Sequence, residues 1–114
     1  MTQSVRTFHR KTGQRRLFKQ GLAHNLIMRG KMETTTPRAK EIRPIVERYV
    51  TIGKKNTTAA YRMLLAKLPK VSAEKVFYDI APKYKERKGG YLRITKMSGA
   101  RKRDGAETSV IEFV

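Results

Sequence analysis

The chain of 114 residues contains no cysteine, no tryptophan and only nine acidic residues. Without cysteine there is no disulfide framework and no thiolate to ligate zinc or act as a nucleophile. No run of 18 apolar residues occurs, so no segment reads as a membrane span. Met1 to Lys11 has no apolar stretch of the kind a secretory signal carries. It is basic and acid-free, as organellar transit peptides are, but it is short and poor in serine. Hydrophobic residues make up only 39%, enough for one small core and little more.

Basic residues are plentiful. Twenty-seven Lys and Arg leave a net charge of +18. Such a chain repels itself unless a polyanion neutralises it, so a phosphate-rich partner is expected. The charge is uneven. Residues 1–31 hold eight basic residues and no acid, residues 32–88 fourteen against six, and residues 89–114 five against three. The opening segment is also poor in apolar residues, and it is expected to be a tail that orders only on a polyanion. The domain reading is a basic tail over 1–13 and a single domain over 14–114.

Periodicity then predicts the elements. Leu17, Phe18, Gly21, Leu22, Leu26 and Ile27 suit a helix over about 14–29, stopped by Gly30. Met32 to Thr35 reads as a short edge strand. Thr36 and Pro37 read as a cap and a first helical residue. The stripe Ala39, Ile42, Ile45, Val46, Tyr49 and Ile52 extends that helix to Gly53, with a kink expected at Pro44. Asn56 or Thr57 caps a third helix whose apolar face is Tyr61, Leu64, Leu65 and Leu68, ended by Pro69. Ser72 caps a fourth, with Glu74 in its first turn. Its stripe is Val76, Phe77, Ile80, Ala81 and Tyr84, and Pro82 is expected to bend or end it.

After Gly89 and Gly90 the period changes to two. Tyr91 to Met97 reads as a strand, with Leu92 and Ile94 on one face and Tyr91, Arg93 and Thr95 on the other. Glu107 to Val114 is a second strand, with Ile111 and Phe113 sharing a face. The loop Ser98 to Ala106 between them is short enough for antiparallel pairing. The helices must cover one face of this sheet. The expected fold is α+β: three or four helices packed on one face of a small mixed sheet, with a basic N-terminal tail.

Chemistry beyond charge is sparse. His9 and His24 have no partner at metal-ligand spacing, so no metal or cofactor is expected. Gly53-Lys54-Lys55 fails as a phosphate loop, because Arg48 stands where its first glycine belongs. Several of the nine carboxylates sit where they can simply pair with Lys or Arg on a helix, and none forms an evident catalytic pair. The chain is expected not to be an enzyme. An RNA-acting enzyme and a free nucleic-acid-binding regulator remain alternatives at this point.

Any single Lys or Arg can be plain solvated surface. The set as a whole is one-signed, and a surface built only for solubility mixes both signs. The candidates are His9, Arg10 and Lys11 in the tail; Arg15, Arg16 and Lys19 at the start of the first helix; Arg38 and Lys40 on the second; Arg93 and Lys96 on the first hairpin strand; and Arg101, Lys102 and Arg103 at the hairpin tip. Thr34 and Thr35 join them as hydrogen-bonding groups. No helix-turn-helix, zinc finger or basic zipper is present, and Tyr91-Leu92-Arg93-Ile94 lacks the aromatic spacing of a sheet-based RNA reader. A basic tail on a compact domain suits folded RNA read by shape and phosphate.

Four segments carry a resemblance. Thr34-Thr35-Thr36-Pro37-Arg38-Ala39-Lys40-Glu41-Ile42-Arg43 resembles the Thr-Thr…Ala-Lys-Glu-Leu-Arg segment of bacterial large-subunit ribosomal protein seventeen. The stretch Ile80 to Ile94, with Arg87-Lys88-Gly89-Gly90-Tyr91-Leu92-Arg93-Ile94 at its end, resembles that family's Arg-x-Gly-Gly-Tyr-x-Arg-Ile. Val110-Ile111-Glu112-Phe113-Val114 resembles its terminal Ile-Glu-Leu-Val, and His9-Arg10-Lys11 with Gly13 its opening His-Arg-Lys-x-Gly. The resemblance departs at Arg103, where the family's strand loop carries glycine. It implies an α+β structural protein of the large ribosomal subunit, in the cytoplasm, bound to large-subunit rRNA near the exit of the peptide tunnel. Neighbours implied are large-subunit proteins twenty-two and thirty-two. A homo-oligomer, a membrane and a small-molecule substrate are not expected.

Overall fold

The computed structural model describes residues 12–100 and 107–114. Helix α1 spans Thr12–Arg29, strand β1 Lys31–Thr35, helix α2 Thr36–Lys54 and helix α3 Thr58–Lys67. A fourth helical segment follows as α4 (Lys70–Lys75), a π-helical turn (Val76–Ile80) and α5 (Ala81–Lys83). Strands β2 (Leu92–Ala100) and β3 (Glu107–Phe113) close the chain. The class is α+β, as the sequence predicts. The sheet order is β1-β3-β2, and both pairings are antiparallel, so the sheet is not mixed.

Alternation divides the sheet into two faces. Rows Leu92–Phe113, Met32–Ile111–Ile94 and Thr34–Ser109–Lys96 lie on the face toward the helices. Rows Lys31–Glu112–Arg93 and Glu33–Val110–Thr95 lie on the other. Ile111 is fully buried under the helices, among Leu26, Ile27, Ile42, Val46, Val50, Leu64 and Val76. Burial of these side chains is the main driving force holding the domain, roughly 1.5–3 kcal/mol for each before chain entropy is set against it.

Local signals explain most boundaries. Gly30 sits at φ +83°, and its N–H bonds the Leu26 carbonyl at 2.8 Å, a left-handed stop that favours glycine. Thr57 caps α3 by accepting from the Ala60 N–H at 3.1 Å. Pro44 lies inside α2, which runs on through it. Pro44 and Lys40 are both exposed, so water can take the carbonyl that proline leaves unpaired. Pro82 has no N–H to continue the ladder of the fourth helix, which widens into the π turn just before it and ends at Lys83.

Several expectations are corrected. Leu17 and Gly21 point outward, and the buried stripe of α1 is Ala23, Leu26 and Ile27. Thr36 is not the cap of α2: Thr35 occupies that position without a side-chain bond, and the Thr36 hydroxyl meets that of Ser109 at 2.7 Å in the core. Gly53 does not stop α2, which continues to Lys54. A Cβ on Gly53 would lie 3.0 Å from the Ala81 Cβ, so this glycine lets α2 approach the fourth helix. Ser72 is not a cap either. The helix begins at Lys70, and the buried Ser72 hydroxyl donates to the Pro69 carbonyl at 3.1 Å. Glu74, expected in a first turn, lies beyond it and accepts from the Tyr61 hydroxyl at 3.3 Å. Leu65 is exposed, with Ala60 taking its place in the buried face of α3. Tyr91 is buried, because β2 starts one residue later and the chain has not yet begun to alternate.

Candidate nucleic-acid interface

Helix α2 has 19 residues and so separates its two ends by about 28 Å. Basic side chains gather at each end. The first group forms where β1 turns into α2. The Thr36–Ser109 bond fixes the start of α2 on the sheet row that contains Thr34 and Lys96. At the same end of the hairpin Ala100 pairs with Glu107, beyond that row.

Helix α1 is brought to this end by two contacts. Lys19 Nζ lies 3.0 Å from Glu41 Oε1, with both side chains mostly buried. The Arg38 guanidinium stacks over the Phe18 ring at 5.0 Å from its centroid. Arg16 is exposed one turn before. Lys40 is exposed on the solvent side of α2. Arg15 lies in the first part of α1. The structure thus brings Arg16, Lys19, Thr34, Thr35, Arg38, Lys40 and Lys96 to one pole, though not in identical roles. Lys19 is committed to an ion pair. Thr34 and Lys96 belong to the helix-covered face, Thr35 to the opposite one.

Arg93 falls outside this pole. It sits on the open face of the sheet and pairs with Glu112 at 2.9 Å. That exposed pair is worth at most about 1 kcal/mol, so Arg93 is readily exchanged to another anion. His9, Arg10, Lys11, Arg101, Lys102 and Arg103 lie outside the described residues, as does the expected ordering of the tail on a polyanion. His24 has its Nδ1 buried without a hydrogen-bond partner among the described residues. Among those residues no group of three or more His, Asp or Glu is placed to hold a metal ion, and no helix is long and apolar enough to cross a membrane.

The second basic group was missed by sequence reasoning. It lies at the other end of α2. Lys54 reaches across from α2: its ammonium donates to the Arg87 carbonyl and, at 2.9 Å, to the Tyr91 hydroxyl. It also stacks over the Tyr91 ring at 5.0 Å. These contacts tie Lys54 and Lys55 to the segment Lys83, Lys85, Arg87 and Lys88, in which Glu86 is the sole acid. Burial of the Tyr91 phenol opposes ionisation, but hydrogen bonds from Lys54 and Thr51 and the Lys54 charge together hold it below the ordinary tyrosine value. Tyr84 beside it donates to the Val114 carbonyl at 2.7 Å, and its burial raises its phenol. The signal available in the sequence was the run from Lys83 to Lys88. Its pairing with Lys54, more than thirty positions earlier, was not readable.

Residues 18–114 match the profile of a family described as Ribosomal protein L17. The chain belongs to that family. It is similar to proteins named large ribosomal subunit protein bL17 in several bacteria. Identity is 48% over 112 residues with that of Persephonella marina, covering 96% of this chain and 90% of the relative. It is 44% over 111 residues with that of a Sulfurihydrogenibium species, covering 96% and 92%. With the Clostridium acetobutylicum protein it is 41% over 115 residues, and both chains are covered in full. Two of the segments resembling the family fall on structural junctions. Thr34 to Arg43 builds the first pole, and Ile80 to Ile94 runs through the second into β2.

Proposed function

We propose that this chain is a structural constituent of the large ribosomal subunit that binds and stabilises large-subunit rRNA. The observation that carries the reading is the first pole. Arg16, Arg38, Lys40 and Lys96 come from three separate elements and converge at one end of the domain. Membership of the L17 family supports the assignment to the subunit.

The work is electrostatic and non-catalytic. Lys and Arg neutralise phosphates where RNA strands meet, and the packed core holds those charges in place. In this reading residues 1–13 are a basic tail that contributes His9, Arg10 and Lys11, with Arg15 next to it on α1. The site lies near the exit of the peptide tunnel, beside large-subunit proteins twenty-two and thirty-two, in cytoplasmic ribosomes.

Two measurements test this. Sucrose-gradient sedimentation of cell extract, followed by a high-salt wash and mass spectrometry, is expected to find the chain in the large subunit at one copy. Release by the wash, or a peak at the top of the gradient, would indicate a free regulator instead. With about 6–10 phosphates contacted, affinity for rRNA is expected to fall roughly 10³–10⁵-fold between about 50 and 200 mM salt.

A further inference from the structure

The second basic pole carries a cleft. An open cleft of about 140 Å³ lies between the end of α2 and the fourth helix. Phe77, Ala81 and Pro82 form its apolar wall, and Gly53, Lys54, Asn56 and Lys85 complete the lining. No acid lines it.

Each side of the cleft is positioned by something specific. Phe77 is braced by the rings of Tyr61, at 5.1 Å between centroids, and Tyr78, at 4.9 Å. Ala81 is held against α2 by the missing side chain of Gly53. Asn56 adopts φ +52°, a left-handed conformation that asparagine tolerates, and its N–H bonds the Gly53 carbonyl at 3.1 Å. Asn56 lines the cleft at this turn, and its amide offers both a donor and an acceptor. Lys54 is occupied with Arg87 and Tyr91 and serves to fix the rim. Lys85 at the rim, with exposed Lys55 and Lys88 in the adjoining segments, supplies the free positive charge.

An apolar wall with an aromatic ring, an amide at its edge and a cationic rim matches one ligand chemistry: a flat heterocycle carrying a phosphate. We propose that this cleft takes a single unstacked RNA nucleotide, its base against Phe77, Ala81 and Pro82, its edge read by Asn56, and its phosphates on Lys85 and the neighbouring lysines. Bases splayed out of a fold and laid on an aromatic side chain are a general way for proteins to hold RNA. The proposal rests on the rRNA-binding reading above. It adds that a base, besides the backbone, is held, and at the pole opposite to the one the sequence marked.

Amide chemical shifts of the full chain, titrated with AMP, ribose 5-phosphate and the trinucleotide ApApA, test it. AMP is expected to move the Gly53, Asn56, Ala81 and Lys85 amides saturably. Ribose 5-phosphate is expected to bind there roughly fivefold or more weakly, the share a stacked base supplies. The trinucleotide is expected to bind more tightly than AMP, which separates an RNA strand from a free nucleotide. Phe77→Leu keeps the apolar volume and is expected to remove the preference for AMP over ribose 5-phosphate. Lys85→Gln and Asn56→Gly, both at exposed positions and the latter compatible with positive φ, are expected to weaken AMP with the other amides unmoved. The proposal is overturned if the cleft amides stay still, if both monophosphates act equally, or if the trinucleotide binds no better than AMP. Wild-type chain that binds rRNA but not AMP would remove the cleft and leave the rRNA reading intact. Failure to bind rRNA at all would remove both.

Discussion

Gly53→Ala and Gly21→Ala separate helix propensity from packing, because both glycines lie inside helices and only one is crowded. Alanine is favoured over glycine in a helix interior by about 1 kcal/mol, partly because it restricts the unfolded chain. At Gly21 nothing lies within 4 Å of the added Cβ, so Gly21→Ala is expected to stabilise by about that amount. At Gly53 the new Cβ would meet the Ala81 Cβ at 3.0 Å and the Val76 Cγ1 at 3.3 Å. Ala81 has no rotamer to change, so relief requires the two helices to move apart, and overpacking of this kind costs about 1–3 kcal/mol. The net for Gly53→Ala is then a destabilisation of about 0–2 kcal/mol. Taking the difference between the two variants cancels the propensity and leaves the packing cost alone. Each kcal/mol shifts the melting temperature of a domain near this size by about 4–8 °C. Thermal and urea unfolding followed by circular dichroism would measure both. If Gly53→Ala stabilises as much as Gly21→Ala, the close approach of α2 to the fourth helix is wrong.

Other expectations concern the polar core, the tyrosines and the hairpin tip. Ser109→Ala leaves the buried Thr36 hydroxyl without its partner and should cost about 1–3 kcal/mol, and adding Thr36→Val should recover part of that in a double-mutant cycle. In an alkaline absorbance titration Tyr91 should ionise before Tyr84, so Tyr91→Phe should remove an earlier phase than Tyr84→Phe does. The signs for stability are opposite. A lowered Tyr91 adds stability as pH rises through its folded value and is fully present above the unfolded tyrosine value. A raised Tyr84 loses stability above that unfolded value. Urea midpoints of Tyr91→Phe and Tyr84→Phe on either side of the tyrosine range would check this. Changing Arg101, Lys102 and Arg103 together to Ala should lower the salt slope of RNA binding and leave the melting temperature nearly unchanged; a large thermal loss with an unchanged slope would refute a contact role for the tip.

Local chemistry in this chain was legible wherever one residue's own backbone preference decided the outcome. Gly30 ends α1 because a left-handed turn favours glycine, and Thr57 caps α3 because its hydroxyl reaches a nearby N–H. The change from helical to alternating period after Gly90 marked the hairpin, since the two periods follow from backbone geometry alone. The total charge of +18 already set the expectation of a polyanionic partner. What the tertiary structure decided were contacts between residues distant in sequence. Gly53 looked like a helix stop, and only the nearness of Ala81 shows it to be a packing position. Thr36 looked like a cap, and only Ser109, on a strand 73 positions later, explains its hydroxyl. The central place of β3 in the sheet depends on β1 returning to pair with it, which no local pattern encodes. The second basic pole exists because Lys54 bridges to Arg87 and Tyr91. Charge is additive along a sequence, so its total can be read there. Its arrangement in space depends on long-range packing, and that is where the candidate sites are made.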